Sequence, residues 1–250
     1  MPGTDPLLFW PVALLAAFLV GFAKGGLPVV GMLTVPILSL VMSPVMAAGL
    51  LLPVYIVSDV FGVWAYRRAF SRRLLAIMVP ATTVGVAAGW AMASIVPERL
   101  VTGLVGAIGV VFAVNLLLRR NPNTAARPIT VLPGLFWGSL AGFTSFVSHA
   151  GAPPYQVYML PLRLDKAVFA GTTTVLFAYV NALKLVPYYF LGQLNFANLQ
   201  VAAVLLLPSV GAVFVGVWLV RIIAQELFYR LATWALLLIS IKLLWDVATA

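Results

Sequence analysis

Residues 99–128 read RLVTGLVGAIGVVFAVNLLLRRNPNTAARP, and this stretch decides the fold. Its first part, residues 99–118, is apolar over about 20 residues, which is the length of helix that crosses the hydrocarbon of a bilayer. Its second part, residues 119–128, is polar and is the only stretch of the chain that reads as a linker. The pattern therefore predicts membrane segments on both sides of a polar connection.

The composition of the whole chain agrees with an integral membrane protein. Of 250 residues, 63% are hydrophobic and 8% are charged, whereas a soluble domain carries about 25% charged residues. The apolar runs are long and uniform, which favours helices over a membrane β-barrel. There is no cysteine, and His149 is the single histidine. Thiolate sites are thereby excluded and a histidine-based zinc site is disfavoured, so we expect neither a metal nor a cofactor.

Charges, prolines and glycines divide the chain into two sets of five apolar segments. The first set covers approximately 7–24, 28–42, 45–66, 74–96 and 99–118. The second set covers approximately 131–148, 152–162, 167–191, 197–220 and 227–247. We therefore predict an all-α polytopic protein with a first membrane repeat (1–120), a linker (121–130) and a second membrane repeat (131–250).

The two sets resemble copies of one unit. An offset of 122 residues places Asp59 on Asn181, because 181 − 59 = 122, and it also places Gly49 on Gly171. An offset of 121 places Gly21 on Gly142. Because these matches agree in order and spacing, we predict an internal repeat.

The placement of the arginines predicts the orientation of the repeats. The net charge of +9 is concentrated in short loops, which is typical of cytoplasmic loops in membrane proteins rather than of nucleic-acid binding. The loop with Arg67, Arg68, Arg72 and Arg73 is strongly basic, while its counterpart, 192–198, has no arginine. We therefore expect inverted repeats, as in many secondary transporters. The Arg67–Arg73 and Arg119–Arg127 loops would be cytoplasmic, and both termini extracellular, or periplasmic in a bacterium.

The second segment of each half is too short or too broken to cross a membrane alone. Residues 152–162 extend over about 16 Å as a helix, and they contain three prolines. We interpret the first two segments of each half as a re-entrant hairpin, with tips at Lys24–Pro28 and Ser145–Pro154. The alternative is a pair of full spans, which would place Lys24 and His149 about 30 Å apart, so that they could not share a ligand.

A family resemblance follows from these same stretches. Residues 21–28 (GFAKGGLP), followed by Val35-Pro36, resemble the TauE/SafE family of membrane transporters. Pro44–Gly49, the arginine-rich loop and the second copy from Gly138 onward resemble it as well. The resemblance implies export of sulfite and organosulfur anions such as sulfonates, from a cell through its inner membrane. Lys24 and the run Ser148-His149-Ala150 depart from the commoner family pattern.

Polar residues at the two predicted tips are candidates for an anion site. At the first tip, Lys24 and the amides of Gly25 and Gly26 would offer positive charge to an anion. At the second tip, the candidates are Ser145, Ser148, His149 and Gly151. The alternatives are that Lys24 is one more cytoplasmic charge and that His149 caps a helix.

Further candidates lie in the third segment of each half. Asp59 is expected to be functional because a carboxylate in hydrocarbon is costly. It would couple protons or form an ion pair with Lys184, although a structural pair with Arg67 or Arg68 is the alternative. Thr172, Thr173 and Asn181 would contact substrate, unless the threonines bond back to the preceding turn. Asn115, Tyr155 and Gln156 are weaker candidates.

These features favour a secondary transporter that exports a small, sulfur-containing anion by alternating access. The alternatives are a proton-coupled carrier of cations or organic anions centred on Asp59, and an anion channel. An intramembrane enzyme is disfavoured because the chain lacks the HExxH and GxSxG motifs. The expected partners are a small anion and lipid, without nucleic acid, and the sequence also allows a homodimer.

Overall fold

The computed structural model describes residues 6–92, 95–118, 126–190 and 196–249. In the first half, the helices are α1 (Pro6–Lys24), a 3-10 turn (Pro28–Leu33), α2 (Thr34–Leu38), α3 (Pro44–Ala65), α4 (Arg72–Met92) and α5 (Glu98–Leu118). In the second half, they are α6 (Val131–Ser148), α7 (Ala152–Met159), a 3-10 turn (Leu160–Leu162), α8 (Lys166–Phe190), α9 (Phe196–Ile222) and α10 (Gln225–Thr249). Arg119, Arg120 and 121–125 of the predicted linker lie outside the described residues.

Within the described ranges, eight helices are long and apolar enough to cross a membrane, namely α1, α3, α4, α5, α6, α8, α9 and α10. Their outer faces carry many exposed large apolar side chains, such as Leu132, Leu207 and Val111, as expected of surfaces that face lipid. The prediction of an all-α polytopic membrane protein is therefore confirmed.

The second segment of each half is short, as the sequence predicted. The 3-10 turn that starts at Pro28 and the five-residue α2 replace a spanning helix in the first half. In the second half, α7 has eight residues and begins with Ala152, Pro153 and Pro154. Proline in a first helical turn is tolerated because its missing N–H would be unpaired there. Both short segments thus begin with proline in their first helical turn, directly after the turn that follows α1 or α6.

The helix contacts are preserved when the two halves are exchanged. Helix α1 packs on α9 in the same way that α6 packs on α4, while α3 faces α8 and α5 faces α10. Gly21 and Gly142 mark the two equivalent crossings. A Cβ at Gly21 would lie 1.7 Å from Ser209 O, and one at Gly142 would lie 2.3 Å from Thr82 O. The matching helix contacts of the two halves support an internal repeat. That the two halves have opposite orientations in the membrane stays a prediction.

Most basic residues lie at one end of the bundle, where several helix ends meet. Lys166 at the start of α8 donates to Arg221 O at the end of α9 (2.9 Å). Ser71 N, before α4, donates to Thr172 Oγ1 on α8 (2.9 Å). We call this the basic end. Its residues are Arg67, Arg68, Arg72, Arg73, Arg127, Arg163, Lys166, Arg221 and Arg230.

The opposite end has balanced charges among the described residues. There Arg99 at the start of α5 donates to Val247 O at the end of α10, from Nε (3.0 Å) and Nη2 (2.6 Å). Lys242 and Asp246 form an ion pair of 2.5 Å nearby. The helices therefore separate a basic end from an end without net charge.

Candidate functional site

The two predicted hairpin tips meet at one cavity inside the bundle. The cavity has a volume of about 70 Å³. Its wall contains Lys24 from the end of α1 and His149 from the end of α6. Lys24 and His149 therefore line the same cavity. They do so although α1 and α6 are each long enough to cross a membrane.

Most of the polar wall comes from residues that the sequence singled out. The predicted candidates in the wall are Lys24, Ser145, His149, Gly151, Thr173, Asn181 and Lys184. Lys24 comes from α1, and α8 supplies Thr173, Asn181 and Lys184. The last turn of α6 and the connection to α7 supply Ser145, His149 and Gly151. The site is therefore built from both halves of the chain.

Asp59 lies behind this wall and joins two of its residues. Lys24 Nζ is 2.8 Å from Asp59 Oδ1, and Asn181 Nδ2 donates to Asp59 Oδ2 at 2.7 Å. Asp59 is only 3% exposed and Lys24 7%. The two residues that the repeat offset of 122 made equivalent, Asp59 and Asn181, are thus in direct contact.

The prediction that Asp59 forms an ion pair with Lys184 is wrong, because a different lysine pairs with Asp59. Asp59 pairs with Lys24, whereas Lys184 Nζ donates to the carbonyl oxygen of Ser145. The alternative partners Arg67 and Arg68 lie at the basic end, where Arg67 donates to Trp64 O. Lys24 reaches Asp59 because α1 ends beside α3, a proximity that the spacing along the chain does not reveal.

Lys184 is a buried lysine that forms no ion pair with a carboxylate in the part of the chain that the structure describes. It is 2% exposed, and the ion pairs of the described residues do not include it. The carbonyl oxygen of Ser145 accepts from Lys184 Nζ, and Ser145 itself lines the cavity. Among the lining residues and Asp59, two lysines face one carboxylate. A small anion in the cavity would supply a countercharge for the second lysine.

His149 both caps a helix and faces the cavity. It ends α6 in the left-handed conformation, with φ 52°. Its ring Nε2 is 2.8 Å from the Tyr188 hydroxyl. His149 therefore caps the helix and also lines the cavity, and its contact with a substrate stays a prediction.

The expected contribution of the Gly25 and Gly26 amides is contradicted. Gly25 N donates to Gly21 O at 2.9 Å, and Gly26 N donates to Ala23 O at 3.2 Å. Neither residue lines the cavity, and Lys24 lies at the C-terminal end of α1, where carbonyls rather than amides are exposed. The amides are therefore used within the chain, and only Lys24 of this group reaches the cavity.

Two hydroxyl candidates also lie outside the wall. Thr172 Oγ1 donates to Val168 O (2.6 Å) and accepts from Ser71 N (2.9 Å), so it anchors the loop at the basic end. Ser148 Oγ donates back to Thr144 O at 3.2 Å. Thr173 does line the cavity, although its hydroxyl bonds back to Phe169 O (2.7 Å) and to the Tyr155 hydroxyl (2.7 Å).

The sequence interpretation missed Tyr55 and Thr174. Tyr55 lines the cavity, and its ring centroid is 5.2 Å from Lys24 Nζ, a distance at which the ring attracts the cation. Thr174 donates to Lys24 O at 3.0 Å. The signal for Tyr55 was present, because it precedes Asp59 by four residues and shares its helix face. Thr174 gave no such signal, since its partner lies 150 residues away.

Comparison with known proteins gives one family. The family model described as sulfite exporter TauE/SafE matches residues 13–243. No match was found among curated proteins or among solved structures. The matched region contains both halves and every lining residue of the cavity.

Proposed function

Because the chain belongs to the sulfite exporter TauE/SafE family, we propose that it exports a small sulfur-containing anion, sulfite or an organosulfonate, by alternating access. The family and the eight apolar helices make the protein a multi-pass membrane transporter. The proposal adds the substrate, the direction and the mechanism. The observation that carries it is Lys184, a buried cation in the cavity wall without a carboxylate partner among the described residues.

The dimensions and donors of the cavity favour a small oxyanion. Its volume of about 70 Å³ suits a compact anion better than a bulky organic molecule. Lys184 supplies charge, and Ser145 in the wall carries a hydroxyl group. Lys24 supplies a second cation that is already balanced by Asp59. A desolvated anion is stable only where charge and hydrogen bonds replace its water.

The charge distribution supports cytoplasmic placement of the basic end. Lysine- and arginine-rich short connections stay in the cytoplasm, so α1 begins and α10 ends on the outside. An interior-negative potential of about 150 mV repels a monoanion by about 3.5 kcal/mol. Since about 1.36 kcal/mol is a factor of ten, this potential supports an outward gradient of roughly a few hundredfold. Export therefore needs no coupling ion.

A proton-coupled carrier is the second candidate, and the ion pair of Asp59 supports it. Protonation of Asp59 would release Lys24 for a substrate anion, so anion and proton would move together. The two candidates differ in their driving force. In the unaltered protein, efflux through the electrogenic exporter follows the membrane potential alone, while efflux through the proton-coupled carrier also responds to a pH gradient.

Thermal unfolding of the purified protein in detergent, with sulfite, sulfoacetate, sulfate, phosphate and acetate, tests the substrate class. A ligand at 100 times its Kd stabilises the folded state by about 2.7 kcal/mol. We expect a shift with sulfite or sulfoacetate, and its loss in Lys184→Met. Lys242→Met is the matched control because Lys242 lies in an exposed pair with Asp246. Stabilisation by none of the sulfur anions would contradict the proposal.

A further inference from the structure

Gln156 is a buried amide for which the fold provides no partner. It lies on α7 and is 0% exposed. Neither its Nε2 nor its Oε1 has a hydrogen-bond partner in the described residues, and both atoms are sealed from solvent. Within that part of the chain, no other side-chain amide is buried with both polar atoms unpaired.

An amide in this position is costly for the conformation that the structure shows. Burying an unpaired amide forfeits its hydrogen bonds to water, and an apolar side chain of the same shape would avoid that loss. Buried polar groups are nearly always satisfied, so an exception calls for a physical reason. A conformation in which the amide finds a partner would supply that reason.

The equivalent residue in the first half is satisfied. The offset of 122 that joins Asn181 to Asp59 places Gln156 on Thr34, because 156 − 122 = 34. Thr34 is also 0% exposed, but its hydroxyl donates to Gly31 O (2.6 Å) and contacts the Tyr55 hydroxyl. The two halves therefore differ at this position. The polar group of Thr34 is paired, whereas both polar atoms of Gln156 are unpaired among the described residues.

Gln156 lies one helical turn after a residue of the cavity wall. Ala152, four residues earlier on the same face of α7, lines the cavity, and so does Gly151 before it. The neighbouring Tyr155 hydroxyl is 2.7 Å from Thr173 Oγ1, another lining residue. A small rotation or shift of α7 would therefore bring the amide to the cavity.

The segment that carries Gln156 lies between two unusual backbone positions. His149 (φ 52°) and Arg163 (φ 45°) are the non-glycine residues with positive φ in the described chain. Such conformations cost energy and are concentrated at hinges and binding sites. The segment 150–162 is thus short and bounded by two left-handed residues, while most of its side chains are buried.

We propose that Gln156 is an anion-binding residue in a second state of the transport cycle, in which α7 moves between His149 and Arg163 and turns the amide into the cavity. In that state Nε2 donates to an oxygen of the sulfur anion. A neutral amide adds hydrogen bonding without further charge, so it discriminates by oxygen position rather than by net charge. This inference rests on the proposed function, because it requires that a sulfur anion uses the cavity.

Substitution by methionine separates this role from a packing role. Gln156→Met keeps the length of the side chain and removes its polar atoms. We expect the thermal midpoint without ligand to rise by a few degrees, and sulfite efflux from proteoliposomes to fall at least tenfold. Ser240→Ala is the matched control, since Ser240 is also 0% exposed and its hydroxyl is unpaired. It should leave efflux unchanged.

Cysteine labelling tests the movement itself, because the chain has no native cysteine. In membranes at working temperature, Gln156→Cys should react with N-ethylmaleimide, while Ser240→Cys should not. Equal protection of both cysteines, or normal efflux in Gln156→Met, would overturn the inference while leaving the exporter intact. Absence of sulfite and sulfonate efflux in the unaltered protein would instead overturn the proposed function, and this inference with it.

Discussion

The contact between Lys24 and Asp59 places two opposite charges inside a membrane domain, each less than a tenth exposed. Such a pair gains little net stability over apolar residues, because both charges are desolvated. Removal of one partner is different, since it leaves the other charge buried and alone. The pair is therefore expected to behave as one unit in stability and in transport.

A double-mutant cycle measures this coupling. Lys24→Met and Asp59→Asn should each lower the free energy of unfolding in detergent by about 3–5 kcal/mol, and the double variant should lose much less than their sum. The control cycle uses Lys242→Met and Asp246→Asn, whose side chains are 37% and 43% exposed. That exposed helical pair should couple by about 0.3–0.5 kcal/mol. Additive losses at Lys24 and Asp59 would show that the pair does not act as one unit.

At this scale the sequence identified the unusual residues but not their partners. Lys24, Asp59, Asn181 and Lys184 stand out because polar groups are rare in such apolar segments. Which of two lysines meets the carboxylate depends on where α1 ends relative to α3, and that is a tertiary property. The Gly25 and Gly26 amides were misassigned for the same reason, because the sequence did not show that a helix ends there rather than begins.

Helix crossings at glycine hold the site together at the scale of elements. Gly21 brings α1 against Ser209 O on α9, and Gly142 brings α6 against Thr82 O on α4. These are equivalent crossings of the two halves, and the ends of α1 and α6 deliver Lys24 and His149 to the cavity. If α1 moved away from α9, or α6 away from α4, the cavity would widen and the fold would be less stable.

Alanine at these glycines should therefore be harmful, in contrast to alanine at an uncrowded glycine. Gly21→Ala and Gly142→Ala should each destabilise the protein by about 1–3 kcal/mol through overpacking. Gly211→Ala, on α9, has nothing within 4 Å of the new Cβ and should stabilise by up to about 1 kcal/mol. Thermal unfolding in one detergent compares all three. Equal midpoints for Gly21→Ala and Gly211→Ala would contradict the close crossing.

The elements themselves were largely predictable. Long apolar runs predicted the long helices, and the prolines after Gly26 and Gly151 predicted the short second segments. The first segment of each half was interpreted as one arm of a re-entrant hairpin, whereas α1 and α6 are long enough to span a membrane. The offset of 121 matched Gly21 to Gly142, and these glycines lie at equivalent helix crossings. The offset of 122 matched Asp59 to Asn181, and these side chains are in direct contact. The sequence alone did not reveal that α1 packs on α9, because that contact joins residues far apart in the chain, such as Gly21 and Ser209 (209 − 21 = 188).

At the scale of the whole molecule, charge is divided between the two ends of the bundle. The basic end gathers nine arginines and lysines of the described residues, while the opposite end balances Glu98 and Asp246 against Arg99 and Lys242. This asymmetry predicts one orientation, because positive connections are retained in the cytoplasm. The outward direction of anion export depends on that orientation.

Single cysteines at the two ends test the orientation. Ala126→Cys places an exposed thiol beside Arg127 at the basic end, and Ala248→Cys places one near the end of α10. In intact cells, a membrane-impermeant maleimide should label Ala248→Cys at once, and Ala126→Cys only after lysis. The reverse labelling pattern would show the opposite orientation in the membrane. It would then contradict the argument that the membrane potential drives export.

The most direct test of the account is sulfite efflux from proteoliposomes under an imposed, interior-negative potential. The unaltered protein should release loaded sulfite with saturation kinetics, and Lys184→Met should reduce the rate at least tenfold while Lys242→Met retains it. That result would establish an anion carrier that depends on its buried, unpaired cation. Equal efflux with Lys184→Met, or no efflux from the unaltered protein, would contradict the claim that this cavity exports a sulfur anion.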